Sequence, residues 1–278
     1  MLKRWAEPAG LLFRERREED DNMRILCIGD IVGSAGTEFV ERRLWGVRKL
    51  FGADFVIANG ENASIGNGLL PGDVQRLFDA GVDVLTGGNH TWNRRELHTM
   101  LDDCETLLRP HNYPEAPGSG HVICKTPFGE VEVINLIGLT FMNPLPCPFR
   151  TADALLERDA GVTRIRIVDF HAEATSEKRA LACYLDGRVT AVVGTHTHVQ
   201  TADEQILPGG TAFLTDLGMT GPLDSILGVG KQEVLKKFLT GLPVRFQPGA
   251  GEVELCGALV EADPATGAAL SIERVQLR

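Results

Sequence analysis

Two histidines one residue apart, His196 and His198, close the apolar stretch "AVVGTHTHVQ" at residues 191–200. Imidazoles this close repel when both are protonated, so the pair is read as neutral, with ring nitrogens turned toward something positive, and a metal ion is the obvious candidate. Similar residues recur wherever an apolar run stops. "LCIGD" ends on Asp30, "VIANGEN" on Glu61 and Asn62, "VLTGGNH" on Asn89 and His90, and "RIVDFH" on His171. Carboxylates, amides and imidazoles without a thiolate suit Mn, Fe or Zn better than a softer metal. These donors exceed the needs of one tetrahedral ion; two ions sharing a carboxylate, about 3.5–4 Å apart, would use them.

For side chains so distant in sequence to meet, the strands carrying them must end at one edge. The carboxyl ends of parallel strands in an open α/β sheet do this. Strand-like runs "RILCIG", "DFVIANG" and "VDVLTGG" alternate with helical stretches near 36–50 and 72–80, and a short helix follows Trp92. "HVICKTPFGEVEVINLIG" reads as a hairpin turned at Phe128-Gly129, followed by a Pro-rich loop "MNPLPCPFR". Alternation resumes with "TRIRIVDF", a helix over 174–186 and "VTAVVGTH", and the rest reads as a strand-rich tail. Mixed parallel and antiparallel strands with flanking helices predict an α/β layered sandwich. The charged opening, residues 1–22, reads as a disordered tail or a mis-assigned start, since Met23 directly precedes the first strand. Residues 23–278 show no break in composition and are expected to form a single domain.

The chain has 278 residues, is 43% hydrophobic and carries a net charge of -10. No Lys/Arg cluster suggests a groove for a large nucleic acid, although a small phosphorylated substrate is compatible if metal supplies positive charge locally. The six cysteines form no CxxC pair and are read as reduced thiols, which points to the cytoplasm. No apolar run reaches the roughly 18 residues of a membrane helix, so a membrane partner is not expected. A homo-oligomer is compatible with the sequence.

"GDIVG", "NGEN", "GGNH", "DFHAE", "GTHTHVQT" and "TDLGMTGPLDSILG" resemble the motifs of calcineurin-like metallophosphoesterases, most closely those of the YmdB-like branch, from Met23 to near the carboxyl terminus. Val32 stands where the wider superfamily has histidine, and Glu61 where it has a bridging aspartate. The branch carries both changes, with the amide at Asn62 taking up the lost ligand position. The resemblance implies a four-layer αββα sandwich with mixed sheets and a pair of divalent or trivalent ions, Fe or Mn, with Zn the alternative. It implies hydrolysis of small phosphodiesters, notably 2',3'-cyclic nucleotides. Carried over by motif, Asp30, Asn62 and His198 would hold one metal and Asn89, His171 and His196 the other, with Glu61 bridging. A metal-bridging hydroxide would attack the phosphorus. His90, left without a metal, would protonate the departing oxygen, a contribution on the order of 10²–10⁴-fold.

Each residue alone has a plainer explanation. Asp30 could cap the next helix, Asn62 and Asn89 could form turns, Glu61 could be solvated, and an isolated histidine is more often structural than a ligand. Their recurrence at successive strand ends favours the metal reading. His98, His111 and His121 fit no strand-end pattern and are assigned to a helix surface, a loop and a strand. "RPHNYP", residues 109–114, reads equally as a cleft wall or a Pro-punctuated loop, and Thr220 with Gly221 as a weak phosphate-binding turn. A dinucleotide turn at "GDIVGSAG" is the rival from another class, but it lacks the GxGxxG spacing, and Asp30 would face the pyrophosphate. The remaining alternative is a metal-containing regulatory protein that binds a nucleotide or partner with slow or vestigial hydrolysis; a free His90 favours an enzyme.

Overall fold

Strand β1 (Met23–Ile28) shows how the layers arise. Its side chains alternate between two faces: Met23, Ile25 and Cys27 enter one apolar core, Leu26 and Ile28 another. A strand buried on both faces needs apolar residues on both, which is why residues 25–28 read as one continuous run. The computed structural model describes residues 22–278, so the stretch read as a tail, apart from Asn22, lies outside the described residues.

After β1 come β2 (Asp30–Ile31), α1 (Gly33–Phe51), β3 (Phe55–Asn59), α2 (Pro71–Asp79), β4 (Val84–Thr86), a 3₁₀ turn (Thr91–Asn93) and α3 (Glu96–Asp103). The second part holds β5 (His121–Thr126), β6 (Gly129–Ile137), α4 (Pro148–Arg158), β7 (Ile165–His171), α5 (Thr175–Leu185), β8 (Ala191–Thr195), β9 (Gln205–Ile206) and β10 (Ala212–Leu214). The chain then returns through β11 (Met219–Val229), α6 (Lys231–Thr240), β12 (Pro248–Ala262) and β13 (Ala269–Leu277).

One sheet runs in the order β2-β11-β12-β1-β3-β4, with β13 also on β12; the other runs β5-β6-β7-β8-β10-β9. β1, β3 and β4 are parallel, as are β6, β7, β8 and β10, while β12 is antiparallel to β1. Three apolar layers separate the four structural ones. Ile25, Ile57, Val133, Ile167 and Val193 lie between the sheets. Val40, Leu44, Leu77 and Leu97 pack α1, α2 and α3 on the first sheet, and Leu155, Leu181 and Leu185 pack α4 and α5 on the second. This is the expected αββα sandwich of mixed sheets.

Three local expectations need correction. Gly129 already pairs with Thr126, so the hairpin turns at Pro127-Phe128, one residue early. The Pro-rich loop ends in helix α4: Pro148 occupies the first turn, where its missing N–H leaves no bond unmade, and Ala152, Leu155 and Leu156 form the buried face. The tail expected to be strands contains α6, which buries only Val234.

Candidate metal centre

Five strands bring their carboxyl ends to one rim. Asp30 follows β1, Glu61 and Asn62 follow β3, Asn89 and His90 follow β4, His171 is the last residue of β7, and His196 and His198 follow β8. Asp30 is 0% exposed and Glu61 1%.

The side chains meet in two groups that share one atom. Around His171 Nε2 stand Asn89 Oδ1 at 3.0 Å, His196 Nδ1 at 3.1 Å and Glu61 Oε1 at 3.2 Å. On the other side Glu61 Oε1 accepts from Asn62 Nδ2 at 3.1 Å, Asn62 Nδ2 lies 3.3 Å from His198 Nε2, and His198 Nε2 lies 3.6 Å from Asp30 Oδ1. Ligand atoms of Asp30, Glu61 and His171 all lie within 4.8 Å of one another. His90 sits at the rim, its side chain 30% exposed, with Nδ1 2.8 Å from Asn62 Oδ1 and its backbone N–H donating to Glu61 Oε2 at 2.7 Å.

The outward nitrogens of three imidazoles each meet an acceptor. His171 Nδ1 faces Thr195 Oγ1 at 3.0 Å, and that hydroxyl donates in turn to Asp169 Oδ1 at 2.7 Å. His196 Nε2 faces Glu173 Oε2 at 2.8 Å, and His198 Nδ1 faces the Leu227 carbonyl at 3.2 Å. Each acceptor favours a proton on the outer nitrogen, so that in the neutral ring the lone pair falls on the inner one, the tautomer a metal-binding histidine needs.

Charge points the same way. The ionic partners of Asp30 and Glu61 among the described residues are histidines. Burial raises the Glu61 carboxyl, but His171 and His90 beside it outweigh burial and hold it far below the usual range. Burial likewise raises Asp30, and His198 and His171 reverse the shift. Burial lowers His198, but Asp30 pushes it up to about 9. Deeper, burial drives Asp169 up to about 6.

The residues present therefore fit a bound cation, with Asp30, Glu61 and His171 able to reach it together. Asp30 Oδ1 is buried without a hydrogen-bond partner, as expected of an oxygen whose partner is an ion. Gly88 leaves the necessary room: a Cβ there would stand 2.3 Å from Glu61 Oε2 and 2.4 Å from His171 Nε2. Val32 fills a different space, where its Cγ1 would lie 2.4 Å from a Cβ on Gly228.

His196 and His198 have φ of 101° and 64°, unusual for residues other than glycine. The loop is held in this shape by two buried carboxylates. Asp30 Oδ2 accepts the His196 N–H at 3.0 Å, and Asp216 Oδ2 accepts the Thr197 N–H at 3.1 Å. Lys178 Nζ, itself buried, donates to that Asp216 oxygen at 2.6 Å. Asp169, Thr195, Glu173, Lys178 and Asp216 escaped the sequence reading, though Asp169 and Glu173 flank His171 within "DFHAE". Thr220 is 0% exposed and pairs with Ile31 in the sheet. His98, His111 and His121 lie on α3, a loop and β5, and His111 with Tyr113 lines a separate cleft of about 460 Å³. All six thiols are free, and none of the described helices is long and apolar enough to cross a membrane.

This arrangement has close relatives. A 2',3'-cyclic-nucleotide 2'-phosphodiesterase of Bacillus subtilis is 49% identical over 254 residues, covering 91% of this chain and 96% of that protein. A crystal structure of a novel phosphatase from Mycoplasma pneumoniae superposes with a TM-score of 0.86 at 32% identity, over 92% of this chain and 93% of the other. A hypothetical protein from Thermus thermophilus gives the same TM-score of 0.86 at 41% identity, over 92% of this chain and 99% of its own. The family model of YmdB-like proteins matches residues 26–275, which contain every strand-end donor, and the chain belongs to that family.

Proposed function

We propose that this chain is a dinuclear metal-dependent phosphoric diester hydrolase that acts on small phosphodiesters, chiefly 2',3'-cyclic nucleotides, as a single cytoplasmic domain over residues 23–278. The observation that carries the reading is the pair of side-chain groups meeting at Glu61 Oε1, with a hydrogen-bond acceptor on the outer nitrogen of each of His171, His196 and His198. The activity named for the Bacillus subtilis relative supports the substrate class.

Asp30, Asn62 and His198 would hold one ion, Asn89, His171 and His196 the other, and Glu61 both. Fe or Mn suits these donors, with Zn the alternative. When bound, the ions would supply a water deprotonated near neutral pH and positive charge against the phosphoryl oxygens. His90 would act at the rim. Its Nδ1 donates to Asn62 Oδ1, so Nε2 has a proton to give to the departing oxygen when the ring is in its imidazolium form. That oxygen stays on the ribose. Opening the 2' bond of the cyclic diester yields a nucleoside 3'-monophosphate, with the proton from Nε2 on the 2'-hydroxyl.

The test is purification without added metal, metal analysis, and parallel assays on 2',3'-cyclic, 3',5'-cyclic and monoester substrates. Two Fe or Mn per chain and preference for the 2',3'-cyclic diester are expected. A metal-replete protein that turns over none of them would overturn the proposal.

A further inference from the structure

Phe141 is 89% exposed and has φ of 63°, a left-handed backbone that bulky side chains rarely adopt. An exposed phenyl ring on such a backbone gives the fold no packing in return, and conformations of this kind gather at binding sites. The loop that carries it is firmly held. Gly138 N–H donates to the His171 carbonyl at 3.0 Å, so the loop leaves β6 directly beside a candidate metal ligand. Leu139 and Thr140 N–H groups donate to Glu177 Oε1 and Oε2 at 2.9 and 3.1 Å. Asn112 Nδ2 ties the two ends together through the Ile137 and Pro146 carbonyls, at 2.9 and 3.1 Å. A tight turn closed by Met142 N–H on the Leu139 carbonyl, 3.1 Å, puts Phe141 at the tip. Two residues separate it from Gly138, so its Cα lies within about 11 Å of the Gly138 Cα even at full extension.

We propose that Phe141 is the platform on which the base of the substrate nucleotide stacks while the cyclic phosphate occupies the metal centre; this rests on the phosphodiesterase reading above. A nucleobase presents a flat π-face of the same size class as a phenyl ring, and stacking tolerates any base because every base has such a face. Phe141 accordingly sets affinity for nucleosides over simpler diesters without choosing among the bases. Glu177 and Asn112 act on substrate only through the loop.

The test compares adenosine 2',3'-cyclic phosphate with glycerol 1,2-cyclic phosphate, which has the same five-membered phosphodiester and no base. Phe141→Ala should raise KM for the nucleotide by about 5- to 100-fold with little change in kcat. It should leave kcat/KM for the glycerol diester unchanged, and Phe141→Trp should restore the nucleotide KM. Binding of adenosine 3'-monophosphate to the manganese-loaded protein, measured by calorimetry, should weaken in the same proportion. A loss shared equally by both diesters, or no loss on either, overturns the platform and leaves the hydrolase reading standing. Conversely, a wild-type protein that cleaves neither diester but binds the monophosphate in a Phe141-dependent way keeps the platform and sinks the hydrolase.

Discussion

His196 Nε2 lies 2.8 Å from Glu173 Oε2, and this contact decides which nitrogen of His196 carries the proton. With Nε2 protonated, Nδ1 offers its lone pair beside His171 Nε2, 3.1 Å away. Partners of this kind orient a ligand and raise its basicity, and their loss typically weakens metal binding by about 10- to 100-fold. Glu173→Ala should lower manganese affinity by about that factor, read by equilibrium dialysis, with the melting temperature of the metal-free protein nearly unchanged. Unaltered affinity would remove Glu173 from the account.

His90 should separate chemistry from metal binding. Its backbone N–H, which donates to Glu61 Oε2, survives substitution, and its ring, with Nδ1 3.1 Å from Glu61 Oε1, is assigned to neither ion. His90→Ala is expected to keep full metal content and to lose on the order of 10²–10⁴-fold in kcat on the cyclic nucleotide. If metal content falls along with turnover, the imidazole is a ligand instead.

The Lys178–Asp216 pair should be expensive to break from one side. Nζ and Oδ2 are 2.6 Å apart and both residues are fully buried. Lys178→Met leaves Asp216 charged without a counter-ion beneath the His196–His198 loop, at a cost of about 3–5 kcal/mol in urea unfolding. Adding Asp216→Asn should recover part of that loss. A single-variant effect below about 1 kcal/mol would show that the pair contributes little there.

Protons and metal should compete at His198. In the metal-free protein burial lowers this histidine, but Asp30 outweighs burial and pushes it up to about 9 from 6.5. A base with a raised folded-state value stabilises the fold fully below its unfolded value and loses that contribution as pH rises through the folded one. The chelated protein should therefore lose melting temperature between about pH 6.5 and 9, while the increment from added manganese grows over the same range. A manganese increment that ignores pH would contradict ligation by His198.

The strand-end donors were legible because a polar residue directly after an apolar run stands out, and because both faces of strands such as β1 are buried. Their supports were hidden for physical reasons. Asp169 lies within a strand and looks like an interruption of its pattern. Leu227 acts through its carbonyl, which side-chain identity does not encode. Lys178 sits in "SEKRA", which reads as a solvated helix face although the lysine is fully buried. Helix α4 was obscured by Pro148, whose role at a first turn depends on the residues after it. Helix α6 buries only Val234 and offers no apolar stripe toward the core.

The paired metal centre stands or falls on anomalous diffraction from crystals grown with excess manganese. Two peaks per chain, about 3.5–4 Å apart and both in contact with the Glu61 carboxylate, are predicted. One should be flanked by His171, His196 and Asn89, and the other by Asp30, Asn62 and His198. A single peak, or none with these side chains turned away from one another, would contradict it.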